Sequence, residues 1–183
     1  MSERRAITLS YLNEIFSLNA EIGELTWRSR PRGHFKNSQS HSAWNTRYSG
    51  KIAGNRRDDG YILVRIDGSR FLLHRIVYAM SKCLDLADVP EVIDHKDNDC
   101  TNNSALNLRE AEYAQNSANS GAHSDNTSGY KGVSWEKRYK HWEARIRANG
   151  KRYHLGYFKN PEDAHAAYIK AANDLHGEFA RAA

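Results

Sequence analysis

The chain has 183 residues, 39% of them hydrophobic, and a formal charge of +5, enough for one domain or two small packed cores. Cys83 and Cys100 form neither a CxxC pair nor a disulfide framework, which argues against a zinc ribbon or a secreted scaffold and for a reducing interior. No segment approaches the roughly 20 apolar residues that span a bilayer, so the chain is expected in the cytoplasm and not in a membrane.

In chain order, Leu9, Leu12, Ile15 and Phe16 recur at helical spacing and predict a short helix, read as a weak packing element. Residues 21–27 read as a turn into a strand ending at Trp27. From Arg28 to Arg57 eight cations (Arg28, Arg30, Arg32, Lys36, Arg47, Lys51, Arg56 and Arg57) stand with no carboxylate, interspersed with Phe35, Trp44 and Tyr48. The pattern leaves two readings open: a solvated loop anchored by its aromatics, or a DNA contact. Residues 61–65 and 70–74 flank Asp67-Gly68, a strong hairpin signal because both residues tolerate positive φ. Ile76, Val77 and Met80 continue at helical spacing, so a helix crosses that hairpin, and His74 at its start is read as a half-buried packing histidine. A short apolar step at 92–93 then enters Asp94-His95 as a strand.

Residues 119–129 are small, polar and glycine-containing, the composition of a connector. Beyond it, residues 130–135, 141–147 and 152–158 read as three strands, with Asn149-Gly150 as a two-residue turn. Asn160 can cap a helix starting at Pro161, with Glu162 and Asp163 in its first turn and Gly177 at its stop. Its apolar stripe is Ala164, Ala167, Tyr168, Ala171 and Leu175; His165 and His176 are read as surface residues, while for His74 a place near a cleft stays open beside the packing reading. From Asn126 to Asn160 nine Lys or Arg stand against two Glu, so this stretch alone carries +7 and the remainder of the chain −2. The charge points to a polyanionic partner.

Asp94-His95, Asn107 in an Asn-Leu-Arg step and Asn116 stand at the spacing of the HNH nuclease motif, and the run resembles that family, including phage and mobile-element homing endonucleases. The resemblance implies a ββα-metal fold holding one Mg2+ or Mn2+ ion and hydrolysing a phosphodiester. His95 would take a proton from the attacking water, since imidazole titrates near neutrality. Asp94 and Asn116 would be the hard-oxygen metal ligands, with Asn119 as the alternative. Asn107, the motif's middle position in the catalytic constellation, would hold the loop in place. Successive residues on a regular strand point to opposite faces, so the strand is expected to end or bulge at Asp94-His95.

The C-terminal residues Tyr130-Lys-Gly-Val133, Trp142, Ala144, Arg145-Ile-Arg147, Leu155-Gly-Tyr-Phe158 and Pro161-Glu-Asp-Ala164 resemble the Apetala2/ethylene-response-factor DNA-binding domain. Ser134 and His154 stand where that family usually has arginine and tryptophan, so its recognition sequence is not carried over. The Asn149-Gly150 turn sets a register pairing Ile146 with Tyr153, Ala144 with Leu155 and Trp142 with Tyr157 on a core face. The opposite face pairs Arg147 with Arg152 and Arg145 with His154, like charges that a polyanion would relieve. The expected DNA-binding residues are Lys131, Ser134, Trp135, Lys137, Arg138, Lys140, Arg145, Arg147, Arg152 and His154.

The expectation is therefore an α+β protein. Residues 1–120 form an HNH nuclease domain with its ββα-metal core at about 88–120, 121–128 a linker, and 129–183 a three-stranded antiparallel sheet packed on one helix. Double-stranded DNA is the expected partner, with no small-molecule cofactor, in a bacterial or phage-infected cell; monomer and dimer both remain open. The rival reading is a non-catalytic DNA-binding regulator with a degenerate nuclease fold, and an RNA target is a third.

Overall fold

The structure, a computed structural model, describes residues 6–123 and 125–181. It is α+β, and its packing divides into Met1–Glu110 and Ala111–Ala183.

The first unit begins with α1 (Leu9–Ile15), whose first turn is closed by the Thr8 side chain accepting from the Tyr11 backbone N–H. Far from being a weak element, α1 seeds the core: Leu12, Ile15 and Phe16 are fully buried, each worth about 1.5–3 kcal/mol in removed apolar surface. Phe16 leaves the helix for β1 (Phe16–Asn19), which pairs antiparallel with β2 (Glu24–Trp27). Next comes α2 (Ser38–Tyr48), a helix that the composition of this stretch does not announce. A capping box between Asn37 and Ser40 starts it, and none of its residues is buried.

β3 (Asn55–Arg56), β4 (Ile62–Ile66) and β5 (Ser69–Leu72) form an antiparallel sheet in that order. The β4–β5 turn is Asp67-Gly68, both at positive φ as the hairpin signal requires. α3 (Leu73–Ser81) follows directly and sends Leu73, Ile76, Val77 and Ala79 into the core shared with α1 and β2. β6 (Val92–His95) and β7 (Leu108–Ala111) make a two-stranded ribbon.

The second unit holds α4 (Tyr113–Asn119), then β8 (Val133–Glu136), β9 (His141–Ala148) and β10 (Lys151–Phe158), with α5 (Pro161–His176) packed on the sheet. Strand order is β10-β9-β8, all antiparallel. Asn160 accepts from the Asp163 N–H at 2.8 Å, Pro161 opens α5 and Gly177 ends it. Two expectations need correction. The pairing follows the predicted register from Arg147↔Arg152 through Arg145↔His154, then shifts, so that Ala144 faces Gly156 and Trp142 faces Phe158. The extra residue is a bulge, made possible by Gly156 at φ +135°. On α5 the buried positions are Ala164, Tyr168 and Ala172, while Leu175 is 37% exposed.

Candidate functional site

β6 runs through both Asp94 and His95 and stops there, and a turn begins at Lys96. The two residues are buried, 2% and 5% exposed. Asp94 Oδ2 accepts a hydrogen bond from Arg109 Nε on the adjacent strand β7 at 2.8 Å, and Arg109 Nη2 lies 2.8 Å away as an ion-pair contact. His95 Nε2 lies 3.2 Å from Asn103 Oδ1. Its ring meets His74 edge-on, with centroids 5.2 Å apart, and Tyr61 at 6.1 Å.

The loop from Lys96 to Asn107 is closed by its own side chains. Asn107 Oδ1 accepts from the Asp97 N–H at 3.1 Å, and its Nδ2 donates to Asp97 Oδ1 and to the Asn102 carbonyl, both at 2.8 Å. Asp97 Oδ2 accepts from Asn102 Nδ2 at 2.6 Å. Burial pushes the Asp97 carboxyl up, but hydrogen bonds from Asp99, Asn107 and Asn102 outweigh it, and its pKa falls below the ordinary value. Asn107 thus spans the loop from end to end, through its side-chain amide and through its backbone carbonyl, which accepts from the Lys96 N–H at 2.9 Å. Asn116 and Asn119 lie on α4 in the second unit, Asn119 only 3% exposed.

His74 is 6% exposed, and burial pushes its pKa down to about 3, with His95 and Arg75 adding to the effect. It is therefore neutral at physiological pH. The sequence pattern singles out neither Tyr61 nor Asn103, and for His74 it leaves a place near the cleft as the lesser alternative to a packing role. Nothing local signals the convergence of these residues on His95, since they come from three separate segments.

Asp94 offers a carboxylate oxygen, a donor type that suits a hard divalent cation. Among the described residues no three His, Cys, Asp or Glu cluster as a metal site. One structural fact bears on the fit: the Arg109 guanidinium already sits on Asp94 Oδ2, so an ion at that oxygen would have to share or displace a permanent positive charge.

Of the eight cations of the basic run Arg30 is buried and the other seven are exposed. Arg30 is 6% exposed, donates to Asp67 Oδ1 at 2.7 Å and to the Tyr11 hydroxyl, and lies against the rings of Tyr11, Phe35 and Trp44. Arg28 Nε donates to the Phe16 carbonyl, and Arg32 to the Phe35 carbonyl. Asp67, chosen by the hairpin turn, is also the counter-ion of Arg30. Burial raises its pKa, but the Tyr11 and Arg30 hydrogen bonds bring it below the usual carboxylate range.

In the second unit, alternation puts Ser134, Arg145, Arg147, Arg152 and His154 on the sheet face away from α5. Arg147 faces Arg152 and Arg145 faces His154, but the second pair is not bare repulsion. Glu143, 7% exposed, accepts from Arg145 Nη2 at 2.7 Å and contacts His154 Nδ1 at 2.9 Å. Lys137, Arg138 and Lys140 occupy the exposed β8–β9 turn, with Arg138 over the Tyr139 ring. Trp135 falls on the opposite face from Ser134, packed at 5.2 Å on Trp142 and 44% exposed. Lys131 turns away from the sheet face: its Nζ donates to the Ala118 and Ser120 carbonyls at the C-terminus of α4. Burial lowers its pKa, with Arg181 contributing. The orphan carbonyls of a helix end attract a cation, and that local demand holds Lys131 inward. His165 and His176 are half-buried rather than at the surface; His165 packs on Tyr130 at 4.7 Å.

The three antiparallel strands, the helix across one face and the cationic opposite face come together in one part of the chain. Residues 128–178 match the AP2 domain. An AP2 domain points to DNA binding. The chain is also 40% identical over 63 residues, 34% of its length, to "Protein 3.8" of Escherichia phage T7, and spans 52% of that protein. It thus covers about half the length of this curated relative. No solved structure matches. Among the described residues no helix is long and apolar enough to cross a membrane.

Proposed function

We propose that the chain is a metal-dependent DNA endonuclease of the HNH type, brought to its target by the AP2 sheet. The observation that carries the reading is the construction around His95. It is a buried imidazole at the exit of a strand, directly after a buried carboxylate, beside a loop whose ends are joined by the Asn107 amide. The order β6, loop, β7, α4 supports the resemblance to the HNH motif.

In this reading His95 accepts the proton of the attacking water, and the Arg147 and Arg152 face holds duplex DNA through its phosphates and base edges. Asp94, with Asn116, would hold a Mg2+ or Mn2+ ion, which when bound stabilises charge on the phosphoryl oxygens and the leaving group. Arg109 neutralises Asp94 until then. His74, neutral and packed on His95, keeps a second positive charge away from the ring that must take up a proton.

The test is incubation of supercoiled plasmid with the full chain, with and without Mg2+, beside the His95→Ala variant. Loss of a general base costs about 10² to 10⁴ in rate, so the variant should bind DNA as the parent does and fail to cut. Equal cutting by both proteins refutes the role of His95. The second reading, a DNA-binding regulator with a degenerate nuclease fold, draws on the Arg109 guanidinium seated on Asp94. Plasmid that is bound yet stays intact at every Mg2+ or Mn2+ concentration would favour it.

A further inference from the structure

Two hairpins in different units of the chain are built to one plan. Arg65-Ile-Asp-Gly-Ser-Arg70 turns at Asp67-Gly68 and Arg147-Ala-Asn-Gly-Lys-Arg152 turns at Asn149-Gly150, with all four turn residues at positive φ. In each, the arginine two residues before the turn pairs directly with the arginine two residues after it, Arg65 with Arg70 across β4 and β5, Arg147 with Arg152 across β9 and β10. The sheet faces correspond as well. Val64 and Ile66 are fully buried, so alternation turns Arg65 and Arg70 to the opposite face of their sheet, where both are exposed.

Side chains opposed in this way stand about 5 Å apart at Cβ, where like charges are destabilising. Nothing nearby relieves the pair in the first unit. Among the described residues neither Arg65 nor Arg70 forms an ion pair, and Arg65 Nε reaches only the Gly68 carbonyl, at 3.4 Å. The carboxylate of the hairpin itself is already taken: Asp67 accepts from Arg30 Nη2 at 2.7 Å and from the Tyr11 hydroxyl at 2.6 Å. Tyr11 and Arg30 are both buried, so these bonds also fix the tip of the hairpin to the core and display the two guanidinium groups on a held turn. Two cations kept side by side on an exposed sheet face, at a cost to the free protein, fit a polyanion, whose phosphates reverse the sign of the interaction through counterion release. The matching hairpin lies within the AP2 domain, which makes duplex DNA that polyanion.

We infer that the face of β4 and β5 carrying Arg65 and Arg70 is a second duplex-DNA contact surface, borne by the first unit and acting through the phosphate backbone. The inference rests on the reading of duplex DNA as the partner and not on its cleavage. Phosphate contacts position a protein on the duplex and carry no sequence information directly, so this surface adds affinity and places DNA on the unit that holds His95, while base readout stays with the AP2 sheet.

Binding of the full chain to a mixed-sequence duplex oligonucleotide is measured at several salt concentrations. The proteins are the parent, Arg65→Ala/Arg70→Ala, Arg147→Ala/Arg152→Ala, and Lys82→Ala/Lys170→Ala, which removes the same net charge from exposed positions elsewhere. Each lost phosphate contact lowers the slope of log K against log salt by about 1, so Arg65→Ala/Arg70→Ala should lose about 2 and the lysine control none. Thermal melts should move the other way, with the Tm of Arg65→Ala/Arg70→Ala equal to or above that of the parent because the opposed charges are relieved. Arg65→Glu sets opposite charges across the same turn and should raise the Tm while weakening DNA binding further than Arg65→Ala. If the double variant does not fold, the two single alanine variants, each expected to lose about 1 in slope, decide the question. An unchanged slope in the Arg65 and Arg70 variants while Arg147→Ala/Arg152→Ala loses affinity overturns the inference alone, as does an equal loss in the lysine control. A parent that binds no duplex removes the DNA partner itself and this surface with it.

Discussion

Acidification should destabilise the first unit through His74, by an amount the structure allows to be worked out. The ring is buried beside His95 and Arg75, and its pKa is lowered from 6.5 to about 3. The unfolded chain therefore binds a proton in the interval between those values that the folded chain does not, and stability rises with pH across it. At pH 7 the effect is small, because an ordinary histidine is mostly neutral there too. At pH 5 the unfolded state is favoured by about 2 kcal/mol through this group alone, and each further unit down to about pH 3 adds about 1.4 kcal/mol. His74→Phe keeps an aromatic ring against Tyr61, whose centroid is 5.5 Å away, and against His95, and it has no proton to bind. Urea titrations of the parent and the variant at pH 7 and pH 5 measure the difference. The parent should lose about 2 kcal/mol more than the variant between the two conditions. Histidines other than the neighbouring His95 cancel, being common to both proteins. Parallel losses would show that His74 takes up its proton in the folded state, and the buried, neutral imidazole described here would be wrong.

Arg109→Ala removes the guanidinium from Asp94, and breaking so buried a pair should cost about 3–5 kcal/mol. If Asp94 binds a divalent ion, Mg2+ should raise the Tm of this variant more than that of the parent, and an equal response in both refutes Asp94 as a ligand. Lys131→Met should speed amide exchange in the last turn of α4 while leaving DNA affinity and its salt dependence unchanged; a lost phosphate contact would instead flatten the salt slope. Arg147→Ala and Arg152→Ala should each weaken DNA binding and reduce that slope by about 1, and should leave the fold as stable or slightly more so because opposed like charges are relieved. Unchanged affinity in both would make this face ordinary solvated surface.

Much of the secondary structure was legible because its causes lie within a few residues of one another. Asp67-Gly68 and Asn149-Gly150 carry their turn geometry themselves, and Asn160, Pro161 and Gly177 delimit α5 by satisfying or omitting the backbone groups of its ends. Apolar spacing placed α1 and α3, and the motif spacing brought out Asp94, His95, Asn107 and Asn116. Which charged groups face solvent and which face a partner was not legible in this way. Eight cations without a carboxylate read as an exposed basic run, yet Arg30 lies inside three aromatic rings on a carboxylate 37 positions further along the chain. Lys131, inside the most basic stretch, is drawn to the end of α4. The bulge before Gly156 shifted a register that the turn alone sets correctly for only its first pairs. The surroundings of His95 were the least visible, since Tyr61, His74 and Asn103 meet only when the chain is folded. Periodicity, caps and turns are short-range properties of the backbone, and the sequence by itself determines them. The partner of a buried polar group depends on what else is desolvated within hydrogen-bonding reach, and only the tertiary structure decides that.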